Sequence, residues 1–267
     1  MLHFHKDQLT VFQSALYQTT TAVVETEQAM IITDPNWLPE EVREIKQFVD
    51  DRLGNRMLYL IYTHSDFDHI IGAGAFPKAF VIASKAFHNN PGKRACLEEA
   101  KAFDSKHYIE RDYTHVYPHV DRMITMDGDA LKLGDMTLHF YLAPGHTADG
   151  LFTVIEPYGI LLSGDYLSDV ECPFISYNWK KYKQTAKKAG AIMEEHDIRC
   201  HVPGHGNVTE DKNEMIARLA FTQDYLDRLN RDVDALEKEC RERFLFFDGM
   251  IDMHRNNIRR AAKEEHR

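Results

Sequence analysis

Residues 57–72 read MLYLIYTHSDFDHIIG, and this stretch decides the fold. Met57 to Thr63 is a continuous apolar run of strand length, which predicts a strand buried on both faces. Directly behind it, His64, Asp66, Asp68 and His69 place four potential metal ligands within six residues. Alternate residues of a turn project to different sides. His64 and Asp66 can therefore reach one ion while Asp68 and His69 reach a second. Imidazole with carboxylate suits divalent zinc, iron or manganese. A turn anchored on a buried strand also holds its ligands in place before metal arrives.

Working outward, Leu9–Phe12, Ala22–Glu25 and Ala29–Thr33 read as a meander of short strands, the last ending in a turn at Asp34-Pro35. Residues 39–54 predict an amphipathic helix. Pro39 sits in its first turn, Val42, Ile45, Val49 and Leu53 share a face, and Gly54 stops it. Downstream, strands are expected at 79–84, 136–143, 151–156 and 159–164, with a helix over Tyr182–Glu195 and a closing strand at CHVPGHG (200–206). Between the first two lies a long, charged, helical insertion from Lys85 to Asp121. From Glu210 the pattern is helical: Leu226, Leu229, Val233, Leu236 and Cys240 recur at alternating spacings of three and four. That stripe is expected to pack on the same domain, with a homodimer seam as the alternative. Strands alternating with helices give an α/β class.

Three punctuated sites complete a ligand set. APGHTADG offers His146, LLSGDYLS offers Asp165 and VPGHG offers His205, each at the end of an expected strand and beside glycine. Glycine lets backbone approach a ligand cluster closely. The set then divides into His64, Asp66 and His146 for one ion and Asp68, His69 and His205 for the other, with Asp165 as the bridge. Two ions ~3.5–4 Å apart can share a hydroxide that is nucleophilic at neutral pH.

In this order, the cluster, GHT, SGD and GHG resemble the signature of the metallo-β-lactamase superfamily over roughly residues 10 to 208. The resemblance implies an αββα sandwich with the metals at one edge of two packed sheets. It also implies that Asp34, closing ITDP, orients the His ligands or the loop backbone from behind. The expected organisation is a metallo-β-lactamase-fold domain over 1–209 and a C-terminal helical extension over 210–267.

The sequence departs from the family pattern at Asp66, where most hydrolases of the family carry histidine. A carboxylate there lowers the electrophilicity of the first ion and favours iron or manganese relative to zinc. The flavodiiron reductases of the same superfamily also carry an acid at that place, but this chain has no flavin domain.

Composition bounds the rest. The 267 residues are 43% hydrophobic and 28% charged, an ordinary globular balance. No apolar run approaches a membrane span, and the first residues, MLHFHKDQLTVF, lack a signal-peptide pattern, so a cytoplasmic protein is expected. Cys96, Cys172, Cys200 and Cys240 are far apart and are read as free thiols. A formal net charge of -10 argues against nucleic acid as a partner. Of the other histidines, His201 is read as a hydrogen-bonded structural residue, and His3, His5, His115 and His119 as surface residues. The insertion 85–121 and the stretch 171–188 are expected to wall the substrate; for Tyr177, Trp179, Tyr182 and the neighbouring lysines a solvated helix face with aromatic anchors is the favoured reading.

These observations lead to an expected binuclear hydrolase with two divalent ions, zinc first and iron or manganese as alternatives. It would act on a small ester, thioester, lactone or phosphoester, with Asp68 and Asp165 positioning the shared hydroxide. A non-haem diiron redox protein, suggested by Asp66, and a non-catalytic metal-stabilised binding protein are the rival readings.

Overall fold

The structure is a computed structural model that describes residues 1–265. Seven strands form the first sheet in sequence order: β1 (Leu2–Lys6), β2 (Leu9–Gln13), β3 (Thr20–Glu25), β4 (Ala29–Thr33), β5 (Met57–Ile61), β6 (Phe80–Ser84) and β7 (Arg122–Ile124). The first four pair antiparallel, and β4 to β7 run parallel. Five further strands, β8 (Asp129–Leu133), β9 (Met136–Leu142), β10 (Leu151–Glu156), β11 (Ile160–Leu162) and β12 (Cys200–Val202), form the second sheet in reverse order. In it β11 and β12 are parallel and the other pairs antiparallel.

Among the described residues, eight α-helices cover the two sheets. On the first lie α1 (Pro39–Leu53), α2 (Phe67–Ile70), α3 (Lys85–His88) and α4 (Lys93–His107); on the second lie α5 (Trp179–Glu195), α6 (Lys212–Arg228), α7 (Val233–Arg243) and α8 (Phe247–Glu265). Period-2 alternation explains the layers. Val11, Ala22, Val24, Ile31 and Ile61 face the second sheet, where Leu138, Phe140, Ile155 and Leu162 meet them. Val23, Met30, Ile32 and Leu60 point the other way, onto Val42, Ile45 and Val49 of α1. The result is the αββα sandwich expected from the sequence.

Local chemistry sets the ends of α1. Pro39 opens it, and the buried Glu41 carboxylate accepts from the backbone N–H of Leu38 at 2.9 Å and from Ser14 Oγ at 2.7 Å. Gly54, with φ of +57°, ends it.

Four expectations change. β5 is shorter than the apolar run that predicts it, and only its C-terminal half is buried: Met57 is 54% exposed. The helical stripe from Leu226 to Cys240 is two helices, because the chain leaves helix after Arg228 and restarts at Val233. Leu226, Leu229, Leu236 and Cys240 nevertheless converge in one buried cluster with α5, so the periodicity marks a common face across a break. The insertion is helical only over α3 and α4; residues 108–121 run back irregularly. His115 is also no free surface residue, since its Nε2 lies 2.7 Å from Asp104 Oδ2.

Candidate metal centre

Every ligand-bearing turn lies at the C-terminal end of a strand: Asp34 after β4, residues 64–69 after β5, His146 after β9, Asp165 after β11 and His205 after β12. The pairing directions bring these ends to one edge of the sandwich. Hydrogen bonds across the sheets lock that edge. Leu151 N donates to Thr63 O at 2.8 Å, Thr20 N to Gly204 O at 2.7 Å and Gly204 N to Gly164 O at 2.6 Å. Gly204 is required here, because a Cβ on it would overlap the Asp165 carboxylate.

The structure brings all seven predicted residues together in two groups. In one, His146 Nε2 lies 3.2 Å from Asp66 Oδ2 and 3.2 Å from Asp165 Oδ2, while His64 Nε2 lies 3.8 and 3.5 Å from the same atoms. In the other, Asp68 Oδ2 is 3.4 Å from both His69 Nε2 and His205 Nε2, and Asp165 Oδ1 is 3.0 and 3.3 Å from them. Asp165 thus turns one oxygen to each group. Donor atoms about 2.1 Å from an ion at tetrahedral angles stand about 3.4 Å apart, which matches this spacing better than direct hydrogen bonding does.

The ring orientations fit a cation equally well. His205 Nδ1 donates to Tyr17 O at 2.9 Å and His146 Nδ1 to Phe174 O at 2.8 Å, and a carbonyl can only accept. His69 Nδ1 donates to Asp34 Oδ2 at 3.0 Å. The Thr63 hydroxyl donates a hydrogen bond to Asp34, leaving its oxygen to accept from His64 Nδ1 at 3.1 Å. All four imidazoles therefore present Nε2 to the centre. The Nε2 atoms of His64 and His146 and Oδ1 of Asp165 are buried without a hydrogen-bond partner. The Nε2 atoms of His69 and His205 face each other at 3.2 Å, a contact that asks for a positive charge between them.

Electrostatics give the same picture. Burial alone would raise Asp68, but His69 and His205 hold it well below the carboxylate range. Burial likewise opposes ionisation of Asp165, and the surrounding histidines overcome it. Desolvation would lower His69, His146 and His205, yet Asp165 and the neighbouring carboxylates raise all three well above an ordinary imidazole.

Asp34 lies behind the centre with its carboxylate saturated by His69 and by the N–H and hydroxyl of Thr63, so its orienting role has a geometric basis. The sequence reading did not single out Glu171. Its side chain is half-buried with Oε1 3.8 Å from His205 Nδ1, and desolvation pushes it up to about 7. No motif flags it, because its place depends on the fold of the loop after Asp165.

Both expected walls reach the centre. Asn90 Nδ2 donates to Ser65 Oγ at 2.7 Å, and Phe103 of α4 joins Trp37 and Phe67 in an aromatic cluster with centroids 5.2–6.0 Å apart. On the other side Phe174 holds His146. Trp179 and Tyr182 are buried anchors, with Trp179 Nε1 donating to Leu226 O at 2.9 Å, and Lys183 pairs with Asp227 at 2.5 Å. His201 is buried and shares a 2.8 Å hydrogen bond with Ser163 Oγ. No described helix is long and apolar enough to cross a membrane.

Comparison with known proteins agrees with this geometry. The family model described as "Metallo-beta-lactamase superfamily" matches residues 15–205. A type 2 metallo-beta-lactamase of Bacillus sp. (strain 170) is 22% identical over 205 residues, 75% of this chain and 72% of that one. The mitochondrial persulfide dioxygenase ETHE1 of Homo sapiens is 26% identical over 145 residues, which cover 54% of this chain and 44% of that protein, less than half its length. Among solved structures, the stereoselective inverting sec-alkylsulfatase Pisa1 from Pseudomonas sp. superposes with a TM-score of 0.69 at 14% identity, covering 90% of this chain and 44% of that one. The class B3 di-zinc metallo-beta-lactamase LRA-12 from an Alaskan soil metagenome gives 0.60 at 18% identity, with 85% and 92% covered. At such identities these two speak for the fold alone. The match over residues 15–205, with the sandwich and the ligand edge it contains, shows that this chain belongs to the metallo-beta-lactamase superfamily.

Proposed function

We propose that the protein is a metal-dependent hydrolase with two divalent ions, one held by His64, Asp66 and His146, the other by Asp68, His69 and His205, and both by Asp165. The single observation that carries this reading is Asp165, whose two oxygens each face a separate pair of outward-anchored imidazoles. When bound, such ions supply Lewis acidity and an acidified water. The chain supplies the remainder. Asp34, Thr63 and the carbonyls of Tyr17 and Phe174 fix the ring tautomers and directions, so little reorganisation is left for the reaction. Asp68 and Asp165 lie where they can accept a hydrogen bond from the attacking water. Asp66 is the most exposed ligand, with 40% of its side chain open to solvent, and marks the side from which a substrate enters.

Beside that entrance, Phe67 and Phe103 offer an aromatic wall for an apolar group on a small ester, thioester, lactone or phosphoester. No thiol competes as nucleophile: burial raises all four cysteines, Cys96 to about 11 and Cys200 and Cys240 to about 12, with Cys172 higher still. Hydrolysis assays on a panel of those substrate classes test the reading. Turnover that disappears with a chelator and returns with metal supports it, and undiminished turnover in a metal-verified Asp68→Ala variant overturns the mechanism.

A second reading is favoured by two observations: the carboxylate at Asp66 and the similarity to persulfide dioxygenase over 145 residues. It makes the protein an iron-dependent redox enzyme. Iron in the purified protein together with oxygen consumption on a persulfide would favour it over hydrolysis.

A further inference from the structure

The C-terminal helices carry none of the seven ligands, yet one of their side chains reaches the turns that do. Arg218, in the second turn of α6, is 3% exposed. Its guanidinium donates through Nη1 to Asn207 O at 2.9 Å and faces Asp169 Oδ2 through Nη2 at 3.4 Å. Glu214 holds Nε at 2.9 Å from the solvent side. Asp169 in turn accepts from Asn207 N at 2.8 Å and from Asn207 Nδ2 at 2.7 Å. Two turns are thereby stapled together: the one that follows Asp165 by four residues and the one that follows His205 by two. Gly206, with φ of +100°, makes the approach, since a Cβ there would overlap Asp169.

Asp165 and His205 meet at only one of the two ligand groups, the Asp68–His69–His205 group. The opposite side of the His205 turn is already held by the strand side of the first sheet, through Gln13 Nε2 to Gly206 O at 2.6 Å and Gly206 N to Gln18 O at 3.0 Å. Without the guanidinium, the Asp169 side of the turn would rest on the two Asn207-to-Asp169 hydrogen bonds alone, with nothing tying them to α6. The partly exposed Asp169 carboxylate would also lose the cation that faces it, which loosens the loop.

We propose that Arg218, acting through Asp169 and Asn207, is a positioning residue for the second ion: it sets the Asp165-to-His205 spacing and so couples the C-terminal helices to occupancy of that site, not of the first. The inference rests on the two-ion reading. Its sign is opposite to simple electrostatics. Removing a cation near a metal site would by charge alone tighten metal binding, so weaker binding can come only from lost geometry.

The test is a titration of metal-free protein with zinc against a competing chelator, repeated with cobalt(II) for its ligand-field spectrum, in wild type, Arg218→Met, Asp169→Asn and the double variant. Melting of each metal-free protein reports any general loss of structure. The expected result is two binding steps in wild type, with the step that fills the Asp68–His69–His205 group (called the second step whatever its order, and identified by its loss in Asp68→Ala) weakened tenfold or more in Arg218→Met and the other unchanged. The double variant should be no weaker than the worse single one, because both break one unit. Glu214→Gln, on the solvent side of the same guanidinium, should lose less than Arg218→Met at the second step. Equal weakening of both steps, in line with a lower melting temperature, would make Arg218 merely structural and overturn the inference, as would an unchanged second step. A single step in wild type would overturn the two-ion reading itself, and the positioning role with it.

Discussion

The two ligand groups share Asp165 but are built differently. In the Asp68–His69–His205 group each member is deeply enclosed: His69 is fully buried, Asp68 has 14% of its side chain exposed, and the rings are braced by Asp34 and by Tyr17 O. In the His64–Asp66–His146 group the two rings are just as enclosed and braced, but Asp66 keeps 40% of its side chain exposed. One group is a closed cage on the strand ends; the other is a cage with one open wall. A closed cage suits an ion that stays, and an open wall is where a substrate can approach and where metal identity can be tuned. Substitutions can break or sharpen that contrast.

The largest effect belongs to the shared residue. Asp165→Ala removes one oxygen from each group, so both ions should be lost together and turnover should fall by a factor of roughly a thousand or more. Elemental analysis alongside rate measurement checks this; loss of only one ion would show that Asp165 serves a single group. Next comes Asp34→Asn, which weakens the partner of His69 Nδ1 and of Thr63. Metal affinity should drop about 10–100-fold, the range seen when such supporting carboxylates are removed. The loss should fall mainly on the enclosed group, which a two-step zinc titration resolves. Asp66→His adds no new bracing and only changes the open wall. It should shift the bound metal towards zinc in cells grown without metal supplement, with a rate change of less than tenfold expected from a retained ligand set.

The smallest effect lies outside both groups and tests whether the fold behind them is as dry as it looks. Burial and then the nearby Arg218 hold His201 down to about 3, so it is neutral in the folded protein and titrates near 6.5 when unfolded. Its contribution is complete above about 6.5 and declines as pH falls towards 3, by at most about 1.4 kcal/mol per pH unit. His201→Gln should remove that acid-side slope between pH 6.5 and 5 in denaturant melts. An unchanged slope would mean that other groups dominate there.

How much of this was legible in the sequence follows from what each part depends on. The seven candidate ligands were readable because each sits at a strand end, in a short motif whose chemistry is carried by adjacent residues. The β4 and α1 boundaries were readable because Asp34-Pro35, Pro39 and Gly54 are local stops. β7 and β8 were not, since RMI and DALKL are short, half-exposed edge segments without a clean alternation. The break between α6 and α7 was hidden by a stripe that keeps its period across the turn. Glu171, Asp169 and Arg218 lie in charged stretches like any surface stretch, and only the third dimension turns them towards the ligand loops.

The most direct test of the central claim is the metal content of protein expressed without metal supplement and purified without chelator or nickel. Two ligand groups bridged by Asp165 predict about two ions per chain in wild type, falling towards none in Asp165→Ala. One ion per chain that persists in Asp165→Ala would contradict the account.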